Sequence, residues 1–175
     1  ELAIPFAEDT RHASYQFDAA HAFWRQLVDA DRALARFRAA FTGKVSPVHF
    51  CWGAMDLAVT RFSGREAPRH PGGAPNCPNE VMIEGYSHEI SSAGFWPGGG
   101  REGAYYSYAY PAPVGFADAR VPEGAYWDEA LGEYLLPYEV VREAADPDAL
   151  VQDFLTATYR AEADLADWAS VTTSA

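Results

Sequence analysis

The chain has 175 residues, 49% hydrophobic and 22% charged, with a formal net charge of -12; this fits one folded domain with its own core and excludes a disordered chain. So negative a balance also excludes a nucleic-acid backbone or an anionic membrane surface as the main partner, because both require a positive field. No run approaches the roughly 20 apolar residues of a membrane span, and no basic-then-apolar leader opens the chain. Cys51 and Cys77 are outside any C-x-x-C pair, so no disulfide framework is expected and a reduced, cytoplasmic setting is the default.

Taken in order, the chain reads as helix, sheet region, helix. After an extended start near Ile4-Pro5-Phe6, Asp18 is placed to cap a helix that runs to about Phe41. Phe23, Leu27, Ala30, Leu34, Phe37 and Phe41 recur at helical spacing and form its buried stripe, and Gly43 is expected to end it in a left-handed cap. Strands are predicted for Val48 to Trp52, Met55 to Phe62, Tyr86 to Ser91 and Ala104 to Tyr110. A hairpin follows, in which Ala125 to Trp127 and Glu133 to Leu136 flank Asp128 to Gly132. Asp146-Pro147 then supplies an N-cap and a first-turn proline for a second helix, whose buried face is Val151, Phe154, Thr158, Ala161, Leu165 and Trp168. The expected fold class is α+β, a single domain over 1–175 with a mainly antiparallel sheet and the two long helices packed on its apolar face.

Chemistry is expected between Ser46 and Trp96. A two-residue turn at Gly53-Ala54 would set Cys51 opposite Asp56, Phe50 opposite Leu57 and His49 opposite Ala58. Alternation then puts Val48, Phe50, Trp52, Met55, Leu57 and Val59 on a core face, with His49, Cys51, Asp56 and Thr60 on a polar one. His49 and Asp56, joined by His88 and Glu89 from a neighbouring strand, would supply imidazole and carboxylate ligands to a divalent metal such as zinc, manganese or iron, or a His-carboxylate acid-base pair. Against this, H-E-x-x-H is missing, and adjacent strand residues His88 and Glu89 point to opposite faces.

Arg61 or Arg101 is the expected holder of an anionic substrate. Tyr106, Tyr108 and Tyr110 alternate onto one strand face, where they can stack on a sugar or another flat ligand, or cover a helix or interface. Gly72-Gly73 and Gly98-Gly99-Gly100 can turn backbone amides toward an anion or serve only as tight turns. Neither run belongs to a P-loop or dinucleotide fingerprint. A strand cysteine such as Cys51 is more often a small hydrophobe than a nucleophile. Asp9 and His12 join a site only if the amino-terminal arm folds back over the sheet.

The segments IPFAEDTRHASY, SPVHFCWGAMDLAVTRFSGR, YSHEISSAGFWPGGG, YSYAYPAP and LGEYLLPYEVVR together resemble an uncharacterised bacterial family, the domain of unknown function DUF5996. The resemblance covers nearly the whole chain. It implies a carboxy-terminal part of a longer protein, preceded by a further amino-terminal region, and it implies no reaction and no catalytic residues. The expectation is therefore a small-molecule site on the polar face of the central hairpin, with metal-assisted chemistry by His49, Asp56, His88 and Glu89 and substrate contacts from Arg61, Arg101, Tyr106 and Tyr108. The competing expectation is a non-catalytic ligand-binding or protein-interaction module. In it, Trp52, Trp96 and the tyrosines bury against a second copy of the chain or the missing amino-terminal region.

Overall fold

The computed structural model describes residues 4–73, 77–98 and 102–168. The first long helix, α1, is Phe17–Ala39 and leads into the strands β1 (His49–Cys51) and β2 (Asp56–Glu66). A short helix, α2 (Asn79–Gly85), precedes β3 (His88–Trp96) and β4 (Ala104–Tyr110). The hairpin of β5 (Tyr126–Asp128) and β6 (Glu133–Pro137) runs into α3 (Tyr138–Glu143) and the second long helix, α4 (Pro147–Leu165). The strands form one six-stranded sheet of order β1-β2-β3-β4-β6-β5, and every pairing in it is antiparallel. The fold class is thus α+β, as the alternating strands and two long helices indicate.

Period-two alternation decides which side chains meet the helices. Leu57 and Val59 on β2, Ala93 and Phe95 on β3, Tyr105 on β4, and Tyr134 and Leu136 on β6 are buried in one cluster with Ala30, Leu34 and Phe37 of α1 and Val151, Phe154 and Leu155 of α4. Asp146 caps α4, accepting from the Ala149 amide at 3.0 Å, with Pro147 in the first turn where its missing N–H costs nothing. At Gly64 (φ 89°) the β2–β3 register shifts, a backbone state that a β-bulge reserves largely for glycine.

Several boundaries differ from the sequence reading. Gln16, not Asp18, precedes α1, and it makes no side-chain cap. The helix ends at Ala39, with Ala40 in a right-handed conformation, so Gly43 lies beyond the end and does not cap it. On α4 Leu165 is exposed and Glu162 takes the buried position, while Trp168 is buried past the helix end. The hairpin loop spans Trp52 to Met55, closed by the Met55 amide on the Cys51 carbonyl at 2.7 Å with Met55 at φ 62°. The expected register survives this longer loop: His49 pairs with Ala58, Phe50 with Leu57 and Cys51 with Asp56. The expected core face does not extend to the tip, since Trp52 is 80% exposed and Phe50 42%, the latter meeting Phe23 of α1 at 6.5 Å between ring centroids.

Candidate small-molecule cavity on the open sheet face

The face opposite α1 and α4 carries Asp56, Ala58 and Thr60 on β2, Ser92, Gly94 and Trp96 on β3, Tyr106 and Tyr108 on β4, and Glu133 and Leu135 on β6, as the registers dictate. Gly94 is the residue that shapes it. It pairs with Ala58 on one side and Tyr106 on the other, and a Cβ there would meet the Leu57 carbonyl oxygen at 2.2 Å and the Tyr106 hydroxyl at 2.3 Å. Because that space is empty, the Tyr106 ring crosses β3 and its hydroxyl donates to Asp56 Oδ2 at 2.6 Å. Next along β4, Tyr108 stacks on Tyr106 at 6.2 Å and shares a 3.0 Å hydrogen bond with the Tyr86 hydroxyl. The tyrosine alternation read from the sequence therefore produces a ladder of rings on one face.

The ladder floors a cavity of about 540 Å³, walled by Trp96, Tyr106, Tyr108 and Tyr126 and edged by Leu131, Leu135 and Pro137. Asp56, Glu102, Asp128 and Glu133 also line it, and none of its described lining residues is basic. Three of these carboxylates have partners within the protein. Asp56 accepts from Tyr106, Glu102 accepts from the Glu139 amide at the start of α3, and Asp128 Oδ1 accepts from the Ala130 and Leu131 amides at 2.9 and 3.0 Å. Glu133 has no hydrogen-bond partner among the described residues. Burial first, then the charges of Asp128 and Asp56, push its carboxyl up from 4.5 to about 7. Burial and the adjoining Asp56 carboxylate hold Tyr106 far above the ordinary phenol range, and burial with Tyr86 does the same for Tyr108. Both phenols are therefore neutral at physiological pH.

The expected site residues are scattered. Asp56, Tyr106 and Tyr108 line the cavity. His49 lies on the same face but on the edge strand, exposed, with Nδ1 at 3.1 Å from the Pro47 carbonyl. His88 pairs with Glu66 while Leu57 pairs with Phe95, so Asp56 and His88 stand at opposite ends of the ladder, more than about 20 Å apart at roughly 3.3 Å per residue. Shared ligation needs bonds of about 2 Å, which rules out the metal triad of His49, Asp56 and His88. Among the described residues no group of three or more His, Cys, Asp or Glu side chains is placed to hold a metal ion. Glu89 points to the helix face, as adjacency to His88 requires, and accepts from Ser63 at 2.8 Å and from Arg65 Nε at 2.9 Å.

Arg61 is a further correction. It lies on the helix face, 3% exposed, with its guanidinium 3.5 Å from the Phe37 ring centroid and 4.2 Å from that of Tyr159, donating to the Phe37 carbonyl. It follows Asp56 by five positions, an odd offset, so the pleat sends the two to opposite faces. It therefore cannot hold a ligand beside Asp56. Arg101 lies outside the described residues, as do Gly99 and Gly100.

Among the other candidates, the Gly72 and Gly73 amides already donate to His70 Nδ1 and Asn79 Oδ1, both at 2.9 Å, which leaves no free pair for an anion. Burial, then Asp56, raises the Cys51 thiol, the reverse of nucleophile activation. His12 closes a local turn with Asp9 at 2.7 Å and does not line the cavity.

The chain belongs to a family of unknown function, DUF5996, whose model matches residues 1–174. That match covers essentially the whole chain, so the expected placement as the carboxy-terminal part of the family's proteins is not borne out. No curated protein and no solved structure matches the chain. No described helix is long and apolar enough to cross a membrane.

Sequence reasoning missed Gly94, Asp128 and Glu133, and it named Trp96 only for the interaction reading. Gly94 carried a signal, because an isolated glycine inside a strand pattern marks a close approach. The acids of the second hairpin carried less, since their meeting with Asp56 depends on β6 pairing with β4.

Proposed function

We propose that this DUF5996 protein binds a small organic molecule in the cavity on the open face of its sheet, with Asp56, Tyr106, Tyr108 and Glu133 as the recognition groups. The observation that carries this reading is the convergence of four aromatic rings and four carboxylates on one concavity of about 540 Å³, a size and chemistry usual for ligand sites. The rings supply flat apolar surface, and the Tyr106–Asp56 pair supplies an oriented acceptor. His49 and His88 have no part in it. Screening a fragment library by protein-observed NMR tests the reading. Hits are expected to shift Trp96, Tyr106 and Tyr126 resonances together, and hits that cluster elsewhere while the cavity stays silent would remove it. The alternative of a protein-interaction module draws support from Trp52, Phe50 and Met55 at the β1–β2 tip, apolar side chains left exposed.

A further inference from the structure

The electrostatics of the cavity narrow the class of ligand. Asp56 on β2, Asp128 on β5 and Glu133 on β6 face one another across the tyrosine ladder of β4, and no basic side chain is among the described residues that line the space. Like charges in a partly desolvated concavity repel, and the repulsion is relieved by a proton or by a bound cation. Asp128 is committed to its turn amides through Oδ1 and Asp56 to the Tyr106 hydroxyl, while Glu133 makes no protein hydrogen bond among the described residues. Beside it stand the rings of Tyr106, Tyr108 and Tyr126, whose faces attract cations. Unpartnered carboxylate and electron-rich walls are the two elements that recognise an ammonium group. A neutral sugar would use the rings and the acceptors but would leave the negative charge of the described lining uncompensated.

We infer that the cavity is a site for an organic cation, a primary or quaternary amine carrying a flat or compact apolar group, with Glu133 as its counter-ion and the tyrosine rings as its walls. This rests on the cavity being a ligand site at all. The raised Glu133 carboxyl is consistent with it, because a cation would displace the proton that Glu133 otherwise retains near neutral pH. The titratable groups that line the cavity with Glu133 are Asp56, Glu102, Asp128, Tyr106, Tyr108 and Tyr126, and Tyr106 and Tyr108 stay protonated throughout.

The test is an NMR titration of the full chain at pH 8 with benzylamine, benzyltrimethylammonium, benzyl alcohol, benzoate and glucose as probes. The two cations are expected to shift Trp96, Tyr106 and Tyr126 and to bind about tenfold or more tightly than benzyl alcohol, the preference one carboxylate contact and a cation–π contact supply. Benzoate should not bind. Glu133→Gln should cost about tenfold for the cations and leave benzyl alcohol unchanged, and Tyr126→Ala, at the exposed rim, should weaken the cations in a second variant that leaves the sheet intact. If benzyl alcohol or glucose binds in the cavity as well as the amines, the cation assignment is overturned while the binding site stands. If none of the probes moves a cavity resonance but fragments of other classes do, the assignment again falls alone; if nothing enters the cavity, both readings fall.

Discussion

On the helix-covered face of the sheet, Arg61 lies between the rings of Phe37 and Tyr159 within the field of the buried Glu162; on the open face, Asp56, Asp128 and Glu133 gather around a cavity with no cation in its described lining. The same strand, β2, supplies the arginine to one face and the aspartate to the other. Behind α1 and α4, aromatic stacking and the bond to the Phe37 carbonyl offset part of the cost of desolvating the guanidinium, while among the described residues Arg61 Nε, Glu162 Oε2, Tyr159 Oη and Trp168 Nε1 are buried without a hydrogen-bond partner. On the open face the charges are alike and the concavity is accessible. The first arrangement holds helices to a sheet, and the second is left incomplete in a way that a ligand can complete.

This contrast can be broken from either side. Arg61→Ala should have the largest effect, about 2–5 kcal/mol of lost stability by chemical denaturation, since it empties the space between the Phe37 and Tyr159 rings and leaves the Phe37 carbonyl without its donor. A loss below about 0.5 kcal/mol, the range of surface substitutions, would mean that Arg61 does not join the helices to the sheet. Gly94→Ala acts on the open face. The added methyl collides with the Leu57 backbone carbonyl as well as with the movable Tyr106 ring, so a cost of about 1–3 kcal/mol is expected, with Tyr106 displaced from Asp56 and the cavity reshaped. Melting together with the Tyr106 ring shifts checks this; unchanged shifts would show that the crossing over β3 does not depend on the glycine.

Much of the fold was legible because its signals are local. The Asp146-Pro147 cap, the apolar stripe of α1, the β5–β6 hairpin and the register of β1 on β2 each follow from residues close in sequence. The site was less legible, because it depends on strands that meet only in the sheet. Asp56 and Glu133 come from β2 and β6, two strands that do not pair with each other. The strand read as ending at Ser91 runs on through Trp96 and carries Gly94 into the sheet interior. Arg61 could have been excluded from the sequence alone, since it shares the parity of Leu57 and Val59 and not of Asp56. The histidines misled because residue type was weighed ahead of distance along the strand, and His88 belongs to the far end of the ladder.

Glu133 tests the central claim with the smallest perturbation. Its carboxyl is raised in the folded protein, so its contribution to stability is fully present below 4.5 and is lost as pH rises through about 7; Glu133→Gln should therefore remove a decline in stability across that window. The direct measurement is a carbon-13 NMR titration of the Glu133 side chain in the free protein and with benzylamine. The account predicts a midpoint near 7 in the free protein, falling when the amine is added, and a midpoint near the ordinary 4.5 in both samples would contradict it.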